Sequence, residues 1–206
     1  MSHELKPLPY APNKLEPAIS AEVVLWHHDK HQAGYVSKRN EIEEKLKTYD
    51  RSAANMNYSD YGELKRRESF NASGHVLHEL YWDTLGGDGK ADRTLPVVEK
   101  LVEDFGSIER WAEDMKACAK ASLGWAILCF DPSDGKLHNF LCDLHNDGAV
   151  WGAIPITAID VFEHAYYRQY GPDRATYIEG VMKLLNWEKI NERYEAAVRV
   201  YMETVG

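Results

Sequence analysis

The stretch WAILCFDPSDGKLHNFLCDL, residues 125–144, decides the class of fold. Two apolar, strand-like runs, WAILCF and KLHNFLCDL, flank the Pro/Asp/Gly turn DPSDG at 131–135. This is a β-hairpin pattern. A third apolar run, Ala153–Val161, carries Asp160 at its end. The sequence on both sides has helical spacing. Upstream, PVVEKLVEDFGSIERWAEDMKACAKASLG (96–124) reads as two helices, with Ser107 capping the second. Downstream, FEHAYYRQY (162–170) and TYIEGVMKLLNWEKINERYEAAVRVYMET (176–204) return to helical spacing.

The N-terminal half contains no such strands. Four of the eight prolines, Pro7, Pro9, Pro12 and Pro17, lie in the first twenty residues, which read as an extended arm. Ser20 is placed to cap a helix with Glu22 in its first turn. From Ala21 to about Leu46 there is no proline and one glycine, Gly34, so one long helix is expected. A second should run from about Tyr61 to Leu85, with Phe70, Gly74, His78 and Leu85 on one face and Trp82 beside them. The segment LGGDGKADRT (85–94) has three glycines and four charged residues and reads as a linker. The expected organisation is a helical hairpin domain over 1–88 and an α/β domain over 89–206. Helices segregated from one three-stranded antiparallel sheet make an α+β fold.

Composition narrows the function. The chain has 206 residues, 24 Lys plus Arg against 33 Asp plus Glu, a formal net charge of −9. No basic surplus exists to neutralise phosphates, which argues against a nucleic-acid binder. The apolar runs are too short to span a bilayer. The opening MSHELKPLPYAP lacks the apolar segment of a signal peptide, so a cytoplasmic location is expected. Cys118, Cys129 and Cys142 are odd in number and form no C-x-x-C, so they are expected to be buried small hydrophobes.

Histidine carries more. His27, His31 and Tyr35 are spaced i, i+4, i+8 and share a helix face, while His28 points about 100° away. His78 faces the apolar stripe of the second helix. Asp160 and His164 meet where a strand becomes a helix, and a carboxylate buried there needs a partner or a metal. His27, His78, Asp160 and His164 thus form a candidate set of three imidazoles and one carboxylate. Without thiolate, such a set suits iron, manganese or zinc.

The chain resembles the iron/manganese superoxide dismutase family over essentially its whole length. The resemblance is carried by LPYAPNKLEPAIS (8–20), WHHDKHQAGYV (26–36), FNASGHVLHELYW (70–82), GWAIL (124–128), DVFEHAYYRQY (160–170) and NWEKINERY (186–194). It implies a superoxide-disproportionating oxidoreductase using one Fe or Mn, held by His27, His78, Asp160, His164 and a solvent molecule. It places His31 and Tyr35 at the gate of a substrate funnel, and Trp82 and Trp125 on the wall of the metal pocket. It puts Glu163 and Tyr167 at the interface of a homodimer or homotetramer, and Arg174 near the funnel mouth.

Three departures from the family pattern stand out. Phe162 replaces the usual Trp of D-V-W-E-H. Gly34 sits between His31 and Tyr35. The hydrogen-bond donor to the metal's solvent, a glutamine in the family, is absent from the second helix, where Gly74 stands; the manganese-type position is taken by His145. A histidine there resembles archaeal and deep-branching bacterial forms, and iron is favoured on that basis. Two other classes fit the residues alone: a hydrolase with a His/Asp-bound zinc, against which no free carboxylate base is evident, and a non-catalytic oligomer with His and aromatics in its interface.

Overall fold

The computed structural model describes residues 2–205. The arm ends in a short 3-10 turn, Pro12–Leu15, whose Leu15 is buried. Helix α1 (Ala21–Trp26) starts at Ser20, whose hydroxyl accepts from the Val23 N–H as the sequence predicts. It continues without a break through a π-helical turn, His27–Gln32, into α2 (Ala33–Thr48). Helix α3 (Asp60–Asp83), capped by the Ser59 hydroxyl on Gly62 N–H, returns alongside α2. Helices α4 (Pro96–Phe105) and α5 (Ile108–Ala121) follow, the second capped by Ser107.

Strands β1 (Trp125–Asp131), β2 (Lys136–Cys142) and β3 (Ile154–Asp160) form an antiparallel sheet in the order β2-β1-β3. Every residue of β1 except Asp131 is buried, as the continuous apolar run WAILCF requires of a central strand. Its register sets Trp125 beside Asp160 on one side and Cys142 on the other. Helices α6 (Glu163–Tyr170), α7 (Arg174–Met182) and α8 (Trp187–Val205) complete the chain.

The glycine-rich segment after α3 is no loose connection. Gly87 N–H and Gly89 N–H donate to the carbonyls of Leu184 and Leu185, and Asn186 N–H donates back to Thr84. A Cβ at Gly87 would meet the Leu185 carbonyl oxygen at 2.4 Å, so only glycine permits this approach. One contiguous core joins Val23, Leu77 and Tyr81 of the hairpin to Trp125, Ile159 and Ile178 beyond it. Cys129 and Cys142 are buried as expected, whereas Cys118 is only partly covered.

Candidate metal centre

Three segments converge at one end of the sheet. The π-helical turn brings His27, α3 brings His78, and the β3–α6 junction brings Asp160 and His164. Their candidate ligand atoms all lie within 4.8 Å of one another. His27, His78 and Asp160 are at most 1% exposed. The Nε2 atoms of His27, His164 and His78 stand 3.1, 3.2 and 3.4 Å from a single atom, Asp160 Oδ2. The other oxygen, Oδ1, accepts the Phe162 N–H at 2.9 Å and fixes the carboxylate plane.

His78 decides how this cluster is held together. Its Nδ1 lies 2.6 Å from the Gly74 carbonyl, which can only accept, so the proton is on Nδ1. In the neutral ring a lone pair on Nε2 then faces the lone pairs of Asp160 Oδ2, and that Nε2 is buried without a hydrogen-bond partner. Two opposed lone pairs in a dry core repel unless a cation lies between them. A first-row metal about 2.1 Å from each donor would separate neighbouring donors by about 3.0 Å at right angles and about 3.6 Å at 120°. The observed spacings fall inside that range, so the residues fit a metal ion.

The protonation states suit ligation. Burial lowers His27 to about 4 and holds His78 well below the usual imidazole range, so both are neutral. Burial works to raise the Asp160 carboxyl, but the imidazoles of His164 and His27 overcome it and keep the group ionised. Neutral imidazoles and an ionised carboxylate are the forms that bind metal.

Rings close around the four donors. His31, at the surface, stacks on His164 with centroids 4.3 Å apart, and burial lowers its pKa. Tyr35 lies 5.2 Å from His78, and burial raises its phenol to about 12. Trp82 stands edge-on to His27 and donates its indole N–H to Gln32 Oε1 at 2.8 Å. Phe162 stacks on His164 and lies 4.8 Å from His145.

His145 is 4% exposed and packs 4.5 Å from the Tyr35 ring. Its Nδ1 accepts the Trp125 indole N–H at 2.9 Å. Burial lowers its pKa to about 4, so the ring is neutral and the proton sits on Nε2, which is buried with no partner. That N–H is a spare donor beside the ligand cluster.

Other residues singled out in the sequence fall elsewhere. His28 is buried and bonds Asp29 and the Lys6 carbonyl, tying the arm to the helix. The Arg174 guanidinium donates to the carbonyls of Ser122 and Lys120 at the end of α5. Glu163 and Tyr167 are exposed on α6. Spacing did not reveal the π-helical turn, the Gln32–Trp82 bond or the buried Tyr81–Tyr177 pair described below; all depend on tertiary contacts. Among the described residues one other group, Asp131, Asp134 and His138, collects possible ligand atoms, but it lies on the partly exposed hairpin turn, its Asp134 Oδ2 already paired with His138.

Comparison with known proteins agrees with this geometry. Residues 2–86 match the model for the alpha-hairpin domain of iron/manganese superoxide dismutases, and residues 93–193 match the model for their C-terminal domain. The chain is 42% identical to "Superoxide dismutase [Mn] 2" of Haloferax volcanii, across 98% of this chain and 100% of the relative. It is 43% identical to "Superoxide dismutase [Fe]" of Aquifex pyrophilus, across 97% and 95%. With both halves matched and a buried cluster of three histidines and one aspartate, the chain belongs to the iron/manganese superoxide dismutase family.

Proposed function

We propose that the chain disproportionates superoxide to dioxygen and hydrogen peroxide at one iron or manganese ion held by His27, His78, Asp160 and His164, with iron as the resident metal. The metal supplies a one-electron couple that superoxide reduces in one half-reaction and oxidises in the other. Three neutral imidazoles and one carboxylate offset only part of the ion's charge, so neither oxidation state is overstabilised. Relatives named for manganese and for iron are equally similar to this chain, at 42% and 43% identity. Iron is favoured on His145, which stands at the manganese-type glutamine position and resembles archaeal and deep-branching bacterial forms.

Peroxide formation needs protons, and the chain holds donors close by. The Tyr35 phenol stays protonated throughout the neutral range. The His145 Nε2–H is buried and uncommitted. Both are assigned to the reaction as proton-holding groups, with His31 at the entrance.

The site is completed, in this reading, by a second copy of the chain. A metal-ligating histidine ordinarily donates its other N–H. Among the described residues, neither the fully buried Nδ1 of His27 nor Nδ1 of His164 has such a partner, and His164 is the one lying near the surface, beside exposed Glu163. Exposed Glu163 and Tyr167, with Trp26 47% and Leu25 40% exposed on α1, make a suitable self-complementary face. No helix is long and apolar enough to cross a membrane. We place the enzyme in the cytoplasm, where its free thiols stay reduced, and divide it at residues 88 and 89.

The observation that carries the function is the meeting of three Nε2 atoms on Asp160 Oδ2 with the His78 proton on the opposite nitrogen. Metal analysis of purified protein, with superoxide decay after separate reconstitution by iron, manganese and zinc, tests it. Decay with iron or manganese and none with zinc is expected. A zinc-loaded protein without decay would favour a hydrolase, and a metal-free one a non-catalytic assembly.

A further inference from the structure

Two buried phenols outside the ligand set carry the next step. Tyr81 on α3 and Tyr177 on α7 are both 0% exposed, and their hydroxyls lie 3.0 Å apart. The Tyr177 hydroxyl donates to the backbone carbonyl of Asp160 at 2.8 Å. That carbonyl can only accept, which commits the single Tyr177 proton. The shared bond must therefore run from Tyr81 O–H to Tyr177 oxygen. The result is a directed chain, Tyr81 to Tyr177 to Asp160, with every proton assigned.

Each end touches the metal centre. The Tyr81 ring lies 5.6 Å from the His27 ring and 4.7 Å from Trp82. Tyr177 stacks on Tyr166 at 5.3 Å and stands edge-on to Tyr170, both on the helix that begins beside His164. Helix α7 is itself anchored, since Asp173 caps it and Arg174 grips the end of α5. Asp160 is thus held at its carbonyl by Tyr177, at Oδ1 by the Phe162 N–H, and through Val161 N–H on the Gly124 carbonyl. Only Oδ2 is left facing the imidazoles.

We infer that Tyr177, oriented by Tyr81, is a positioning residue for the Asp160 ligand, setting how far Oδ2 reaches toward the three imidazoles. Neither hydroxyl is needed for packing, because a phenylalanine ring would fill the same core at lower desolvation cost. Their retention in a dry core is explained by the carbonyl they hold. The inference rests on the metal-binding reading above and would act through the carboxylate's donor strength, which influences both metal retention and redox balance.

The test uses iron-loaded parent, Tyr177→Phe, Tyr81→Phe and the double variant. Four readouts are taken: iron release to EDTA, ferric visible absorption, midpoint potential and Tm. Partners that orient metal ligands typically change affinity about 10–100-fold when removed. Tyr177→Phe should therefore release iron at least about tenfold faster, with a moved ferric band and potential. Tyr81→Phe should shift the same readouts less. The double variant should match Tyr177→Phe alone, because Tyr81 acts only through Tyr177. A Tyr177→Phe protein with altered Tm but parental band, potential and release rate would overturn the inference, as would additive effects. If Tyr177→Phe does not fold, Tyr81→Phe decides, and parental spectra there overturn it. Failure of the parent to hold redox-active iron would instead remove the functional reading.

Discussion

His145 occupies the space that a side chain at Gly74 would need. A Cβ on Gly74 would sit 3.0 Å from His145 Cδ2 and 3.1 Å from Tyr35 Cγ. The glycine on α3 and the histidine after β2 are therefore one arrangement: a bulky donor from one segment is admitted by the lack of a side chain on the other. Mid-helix Gly→Ala ordinarily gains about 1 kcal/mol. Here Gly74→Ala should lose that gain, since His145 is held by the Trp125 indole and cannot retreat freely. We expect Gly74→Ala alone to lower kcat with little rise in Tm. In a His145→Gln background, the same change should be more favourable to Tm than in the parent, with only the Tyr35 contact left to resist it. Thermal melts of the parent and the three variants check this, and identical Gly74→Ala effects in both backgrounds would show that the two positions are uncoupled.

The histidines separate by role. His78→Ala removes a ligand and leaves a void in a fully buried site, so metal content and activity should fall together. His28→Ala should behave differently. It cuts the link to Asp29 and the Lys6 carbonyl, which costs about 1–3 kcal/mol of stability, while metal stoichiometry stays near one per chain. His138→Ala, on the hairpin turn, should change neither. Metal analysis and urea melts distinguish the three, and an active, metal-loaded His78→Ala protein would remove His78 from the ligand set.

What could be read from sequence was local or periodic. Ser20 and Ser107 announced helix starts, and DPSDG announced the hairpin, because caps and turns are set by neighbours a few residues away. Spacing alone makes only a modest case for the ligand set: i, i+4 pairs His27 with His31, which is no ligand, D-x-x-x-H joins only Asp160 to His164, and the full set comes from the family resemblance. The illegible features join distant segments. Tyr81 and Tyr177 are 96 residues apart, and the His28–Lys6 bond spans 22. The segment 85–94 looked like a linker because glycine and charge suit flexible connections. Those glycines instead allow backbone contact with 184–186, a use that composition does not distinguish.

Arg174 has two possible uses that a measurement separates. The chain carries −9, so superoxide capture calls for local positive charge, and exposed Lys30 is one source. Arg174, the other candidate, also donates to two backbone carbonyls at 2.8 and 2.7 Å. Arg174→Ala should cost about 1.5–3 kcal/mol through lost charged hydrogen bonds. Lys30→Ala should leave Tm unchanged and weaken the ionic-strength dependence of the second-order rate. Stopped-flow decay at several salt concentrations, beside melting curves, separates the two. A stable Arg174→Ala protein with a lowered low-salt rate would return Arg174 to steering.

Thiol reactivity should follow burial. Burial raises Cys129 to about 12 and Cys142 to about 11, and burial with nearby Asp114 raises Cys118 by less. Raising a thiol pKa lowers the thiolate fraction at any given pH, and the thiolate is the nucleophile. At pH 8 native protein should lose at most one thiol to iodoacetamide over the first hour, at Cys118, and all three in urea. Peptide mapping that finds Cys129 or Cys142 modified first would contradict this order.

The last prediction concerns assembly. Glu163 is exposed beside His164, whose Nδ1 takes no partner among the described residues. A two-fold contact would bring Glu163 of each copy to His164 of the other, so the bridge would occur twice and be shielded from water by Tyr167, Trp26 and Leu25. Removing one partner of a buried charged pair costs about 3–5 kcal/mol. Doubled across a symmetric interface, that loss should outweigh much of what holds the copies together. Glu163→Ala should therefore sediment largely as monomer at micromolar concentration and release iron faster than the parent. Glu163→Gln keeps an acceptor but not the charge, and should lie between them. If Glu163→Ala keeps the parental sedimentation coefficient and full metal content, the two copies do not complete each other's sites.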